Sequence, residues 1–233
     1  MALLTSSKGN PTTSAVNTAG AKLFVAMLRN EGSPSTPISD TAGNTWVERP
    51  RTNTTQGLGG RLYYCIDPTT NASHTFTSGN GTGYPIAVAV FDDASGFTFD
   101  VDGGTANAGA SHTSLTVGGG GLTPSQADSL MVCGIMAWAA AVDVSAMTIA
   151  SGGWTVVQYY DNPAANQVDV AIAYKYISSA VATTADWSWT GNAQAAGRIA
   201  AFAYSPGGGG GSDPLLNPRI RALSQAAGRA SFY

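Results

Sequence analysis

Charge is scarce in this sequence. Lys and Arg number 11 and Asp and Glu 14 among 233 residues, for a net charge of −3, and Glu31 and Glu48 are its two glutamates. A chain so poor in Glu, Lys and Arg lacks the usual surface residues of helices, whereas its abundant Gly, Thr, Ser and Ala suit strands and turns. No basic run occurs in the first 205 residues. A phosphate backbone would find nothing to hold there, and nucleic acid is not an expected partner. Long apolar runs are missing too: none approaches the ~18 residues of a membrane helix, so membrane insertion is not expected. No charged stretch leading into an apolar core opens the chain, which points to synthesis in a cytoplasm without a cleaved signal.

Cysteine and histidine are rarer still. Cys65 and Cys133 sit in apolar strand patterns, where a reduced thiol behaves as a small hydrophobe, and neither has a His or Cys at metal-ligand spacing. His74 and His112 are far apart, each flanked by Ser and Thr, so they build no triad and read as surface or cross-strand histidines. Asp92, Asp93, Asp100 and Asp102 could offer oxygen ligands to Ca²⁺, yet their spacing fits no Ca²⁺ loop and a solvated turn is the plainer reading. Gly79-Asn80-Gly81-Thr82-Gly83 superficially looks like a phosphate loop, but it opens a strand at Ile86 where a phosphate loop must open a helix. Glu31 and Glu48 lie at loop or strand edges, without the facing pair that a glycosidase needs. Neither catalysis, a metal nor a cofactor is expected.

What the sequence does contain is an internal repeat. Ile38-Ser39-Asp40-Thr41-Ala42-Gly43-Asn44-Thr45-Trp46-Val47 reads as a strand end, a tight turn and a new strand opening on Trp46. Ile149 to Val157 delivers Trp154 into a strand in the same way. Leu23-Phe24-Val25 before the first turn matches Leu130-Met131-Val132 before the second, and Leu62-Tyr63-Tyr64 after it matches Ala173-Tyr174-Lys175-Tyr176. Phe76-Thr77 ahead of Ile86–Phe91 matches Trp189-Thr190 ahead of Ile199–Tyr204. The period exceeds the ~20 to 50 residues of a solenoid unit, so the copies read as halves, about 15–92 and 122–205, of one all-β body over 1–205. Each Trp can bury on the order of 200 Å² and wants a partner for its indole N–H, which suggests a shared core.

Residues 1–18 read as an extended arm or irregular edge strand, and 92–121 as the connection between halves around two short alternations, Phe97 to Val101 and Ser114 to Val117. The aromatics Tyr84, Trp138, Tyr159 and Tyr160 could stack on sugar rings, although aromatics on strands are more often core or interface. A Gly-rich linker follows at 206–212. In the tail, 213–233, Asn217 suits an N-cap, Pro218 the first helical position and Gly228 the stop, predicting a helix over Pro218–Ala227. So short a helix is below the ~12 to 15 residues at which isolated helices become marginal, and it needs a surface to dock on. Leu215, Leu216, Ile220, Leu223 and Phe232 would enter an apolar groove on a partner, and Arg219, Arg221 and Arg229 would meet an acidic rim around it.

The order of these motifs resembles jelly-roll or concanavalin A-like β-sandwich domains, which are common in structural proteins of tailed bacteriophages, minor head and tail proteins among them. Ser39 to Val47 and Ser151 to Val156 carry the resemblance, which covers about 15–205 and transfers no site residues. It implies an antiparallel two-sheet sandwich and a non-enzymatic virion protein: a decoration or accessory subunit held to capsid or tail proteins by its C-terminal tail. Repetition on a particle favours a homo-oligomer. The reading from a different class is a carbohydrate-binding adhesin, of fibre-tip type, that recognises a host surface glycan.

Overall fold

The structure, a computed structural model, describes residues 1–29, 38–54, 57, 59–79, 81, 83–107, 111–139, 145–150, 152–160 and 168–204. Among them are fifteen strands and no helix. The strands are β1 (Ala2–Gly9), β2 (Leu23–Arg29), β3 (Ser39–Asp40), β4 (Val47–Glu48), β5 (Thr52–Asn53), β6 (Gly59–Ile66), β7 (Phe76–Thr77), β8 (Ile86–Asp92), β9 (Thr98–Ala106), β10 (His112–Leu122), β11 (Ser129–Trp138), β12 (Ser145–Ile149), β13 (Thr155–Tyr160), β14 (Val168–Ile177) and β15 (Thr183–Ala203). Every pairing between them is antiparallel.

The strand order itself is duplicated. In the first half β1, β8, β2, β6 and β4 lie side by side, with β5 also on β6. In the second, β9, the C-terminal part of β15, β11, β14 and β13 repeat that order. The N-terminal part of β15 leaves this sheet to lie between β10 and β12. It changes neighbours at Gly191, whose φ of 87° costs a residue without Cβ little. The matching place in the first half is held by β3 on β7, with Thr12 and Val16 bridged to Thr77 and His74.

Register extends the match to single residues. Leu23 lies opposite Ile66 and Phe91, and Leu130 opposite Tyr176 and Phe202. Val47 pairs with Tyr64 and Thr155 with Tyr174, so the residue after each Trp meets the same tyrosine. Phe91 thus corresponds to Phe202, which sets Ile86 against Gly197 and Phe76 against Trp187, each two residues from the match read in the sequence. A slip of two keeps every side chain on its proper face, because strand side chains alternate. Residues 2–9 form an edge strand, paired from Ala2↔Asp92 to Gly9↔Ile86. The expected connection at 92–121 holds two strands, β9 and β10, both on β15. As β9 lies on β15 the way β1 lies on β8, the repeat reaches beyond 15–92 and 122–205.

β2, β8 and β11 are buried at nearly every position because both of their faces are covered. One cluster lies between the two large sheets: Leu23, Val25 and Met27 against Leu130, Val132 and Met136, with Val170 and Ile172. At ~1.5 to 3 kcal/mol for each fully buried large apolar side chain, this cluster joins the halves. The opposite faces feed separate clusters. Phe24, Ala26 and Leu28 pack with Ile38 and Phe76, and Met131, Cys133 and Ile135 pack with Met147, Trp187 and Trp189. Trp46 leans on the first of these outer clusters and Trp154 on the second, so the two tryptophans do not share a core.

Candidate functional site

A connected set of polar side chains lies behind β2, where the turn after β3 folds back on itself. Asp40 Oδ1 accepts from the Ala42 and Asn44 amides at 2.8 and 3.4 Å, the Asx pattern that such turns favour. Its Oδ2 accepts the Trp46 indole N–H at 2.7 Å. The Asn44 side chain ties the turn to the loop after β6, donating to Thr69 O at 3.0 Å and accepting from Thr69 N at 2.7 Å. His74 brings Nε2 to 3.1 Å from Asp40 Oδ1, close but not aligned as a hydrogen bond. Its Nδ1 lies 2.9 Å from Thr18 Oγ1. The imidazole stacks on Phe76 at 4.7 Å and stands edge-on to Phe24 at 5.2 Å.

Thr18, His74 and Asp40 thus stand in the order of a nucleophile, a base and an orienting acid. Burial removes that chemistry: Thr18 and His74 have 0 % exposure, and so does the Asp40 side chain. Thr18 Oγ1 is also engaged at 3.0 Å by both the carbonyl and the amide of Asn71. Burial alone would push the Asp40 carboxyl up, but the Trp46 indole, the Ala42 amide, the adjacent His74 ring and the Asn44 amide together outweigh it and hold the group below the usual carboxylate range. Of the two places expected for His74, across strands holds, since it bridges Val16, and the surface does not, since it is buried in the core. The Ser and Thr around it hide that, since nothing in a polar sequence context marks a strand whose partners cover it.

The other nominated residues are dispersed. Asp93 is buried against the Met1 amine at 3.2 Å and caps the Ser95 amide, while Asp100 accepts from Ser125 N at 2.7 Å. Asp102 lies between Arg49, at 2.6 Å, and Arg198. Burial would raise its carboxyl, and the two guanidiniums pull it below the usual range. Glu48 pairs with Arg61 and accepts from the Tyr63 hydroxyl at 3.0 Å. Among the described residues no three His, Cys, Asp or Glu side chains are grouped to hold a metal ion. Cys65 and Cys133 are free and buried, and burial pushes their thiols up to about 11 and about 12. Cys133 Sγ accepts the Trp187 indole N–H at 3.2 Å. His112 begins β10, and its carbonyl accepts the Trp189 indole N–H.

Tyr84 is covered by the Arg29 guanidinium at 5.1 Å, and Trp138 and Tyr160 are half-buried on the inter-sheet cluster. Among the described residues the exposed aromatic is one the sequence did not nominate, Tyr176, 36 % exposed with its ring 5.1 Å from Tyr174. A recess of about 100 Å³ is lined by Gly103, Gly104, Gly118, Gly119, Gly121 and Leu122, which bring no ionisable side chain to it. Glu31, the Tyr159 side chain, the 206–212 linker and the whole tail lie outside the described residues, and with the tail go its helix and the partner-binding set Leu215, Leu216, Arg219, Ile220, Arg221, Leu223, Arg229 and Phe232.

Family models, curated proteins and solved structures were all compared with the chain. It matches none of them.

Proposed function

We propose that the chain is a non-enzymatic structural protein of a bacteriophage particle, a jelly-roll-type accessory subunit attached to capsid or tail proteins through residues 213–233. One observation carries the non-enzymatic part. Among the described residues, the arrangement with the order of a catalytic relay, Thr18–His74–Asp40, has its side chains buried and knits a turn to the sheet behind it. The particle context rests on the resemblance of the two Trp-bearing turns. The attachment role rests on the apolar and basic chemistry of the tail. The test is to purify virions from a producing culture on a density gradient and quantify the chain, whole and cut back to residue 206. The whole chain should band with particles and the shortened one should not. A whole chain absent from the particle band would end the structural reading, and a shortened chain bound at full occupancy would move attachment to the sandwich.

A glycan-binding reading has its own support in Tyr176, an exposed ring beside Tyr174 of the kind that stacks on sugars. Saturable binding to one sugar class on a glycan array, abolished by Tyr176→Ala, would favour it.

A further inference from the structure

Contacts between the halves come in reciprocal pairs. The Tyr64 ring of the first half meets Phe202 of the second at 5.3 Å and 76°. The Tyr174 ring of the second meets Phe91 of the first at 5.5 Å and 76°. Register makes Tyr64 the counterpart of Tyr174 and Phe91 that of Phe202. The sheet edges behave alike. Arg49, just past β4, donates to Asp102 on β9 at 2.6 Å, and Gln158 on β13 donates to Ser6 on β1 at 3.0 Å. Arg49 bonds to Leu62 where Gln158 lies opposite Ile172, and Ser6 lies opposite Ala89 where Asp102 lies opposite Ala200. Arg49 therefore corresponds to Gln158 and Asp102 to Ser6. A face on which one copy's i meets the other's j, and its j meets the other's i, is an isologous two-fold contact.

Near such an axis a residue faces its own counterpart. Here the pair is Met27 and Gly134, equivalent because Leu23 corresponds to Leu130. A Cβ on Gly134 would lie 2.6 Å from the Met27 Cβ and Cγ and 2.7 Å from its sulfur. The Met27 methyl ends over Gly60, where a Cβ would meet it at 2.2 Å. The counterpart of Gly60 is Val170, which fills that space on the other side of the axis. Two identical copies could not do this: Met on Met would collide, and Gly on Gly would leave a void.

We propose that the face between the halves is a self-complementary dimer surface closed within a single chain, and that its occupant is the other half. Met27 with Gly60 forms the knob and Gly134 with Val170 the socket side. That asymmetry lets a first-half face accept a second-half face and reject one of its own kind.

Two sets of full-length variants test this by thermal unfolding and light scattering. In the first, Gly134→Ala should lower Tm by about 5 °C or more in the native background and raise it once Met27→Gly, which also removes the clashing Cβ, has emptied the socket. A lowering in both backgrounds would overturn the knob-and-socket pair. In the second, Met27→Gly with Gly60→Val empties the axis, and Gly134→Met with Val170→Gly overfills it. All four substitutions together should give a monomer more stable than either pair alone, because they restore the same contact with the halves exchanged. If the four together are no more stable than the better pair, the two-fold relation is wrong. Should the overfilled variant fail to fold, comparison of the four with the emptied variant still decides.

Discussion

Behind β2 the first half packs Asp40, His74, Thr18 and Trp46; behind β11 the second half packs Ala185, Trp187, Trp189 and Met147. The places correspond, with Ala185 standing where His74 stands and Trp187 where Phe76 stands. Each half also anchors its turn tryptophan differently. The Trp46 indole donates to a buried carboxylate at 2.7 Å, and that of Trp154 to the backbone carbonyl of Thr184 at 2.9 Å. One outer layer is thus held by directional bonds to a charge and the other by apolar area. Area tolerates the loss of a few atoms, whereas a buried carboxylate network fails when one member leaves, because the remaining groups stay desolvated without partners. The first half should be the more brittle of the two.

Asp40→Ala is the largest expected effect. It strands the Trp46 N–H, two turn amides and His74 together, and should cost about 3 to 5 kcal/mol in urea unfolding. Ile149 pairs with Trp187 as Asp40 pairs with Phe76. Half-buried, it should cost about 1 to 2 kcal/mol as Ile149→Ala. Equal losses would mean that the two layers are held by the same means.

The tryptophans come next. Trp154→Ala should cost about 2 to 3 kcal/mol, toward the low end for a large aromatic because the ring is only half-buried. Trp46→Ala should exceed it by about 1 kcal/mol, since it also strips a donor from the Asp40 carboxylate. A Trp154 loss equal to or larger than the Trp46 loss would show that the indole bond to Asp40 adds nothing beyond packing.

How much of this could be read from residues alone follows from what each signal depends on. The runs Leu23–Leu28, Ile86–Phe91 and Met131–Trp138 announce strands covered on both faces, because only such strands carry apolar residues without alternation. The Trp turns announce themselves by Asp, Gly and Asn at fixed places. β1 and β10 do not, since Thr, Ser and Gly suit an edge strand as well as a loop and pairing with β8 or β15 decides the matter. β12 was missed for the same reason. His74, an isolated bridge to Val16 just ahead of β7, was not legible as a buried residue. Its burial comes from Thr18 and Asp40, both distant in sequence.

Acid should separate the halves further. Asp40 is held below the ordinary carboxylate range in the folded protein, so its contribution to stability is complete above about pH 4 and is lost as pH falls through the folded value. Asp102 follows the same sign at the seam between the halves. No carboxylate stands behind β11 at the place of Asp40, where Ile149 is found. In Asp40→Asn, Tm should therefore fall less steeply with pH below about 4 than in the native chain, and adding Asp102→Asn should flatten the slope further. An unchanged slope in Asp40→Asn would place the acid-sensitive step outside the first outer layer.

The smallest difference lies at the two seams, where the same geometry carries an ion pair on one side and a neutral hydrogen bond on the other. Arg49 to Asp102 is partly buried, with side-chain exposures of 22 % and 9 %. Arg49 also lies over the Phe99 ring at 4.2 Å. Its loss would ordinarily leave a carboxylate unpaired, but Arg198 holds the other oxygen of Asp102, and Arg198 has no charged counterpart because Ala87 occupies its place in the first half. Arg49→Ala should therefore cost only about 1 to 2 kcal/mol, well short of a stranded buried charge. Gln158→Ala removes a neutral bond to Ser6 and should cost about 0.5 to 1 kcal/mol. Salt distinguishes the two more sharply than magnitude does. Raising NaCl from 0.1 to about 1 M shortens the screening length from ~10 to ~3 Å, so the Arg49→Ala deficit should shrink while the Gln158→Ala deficit stays constant. If both deficits respond alike, the Arg49 seam is held by its contact with Phe99 and not by charge.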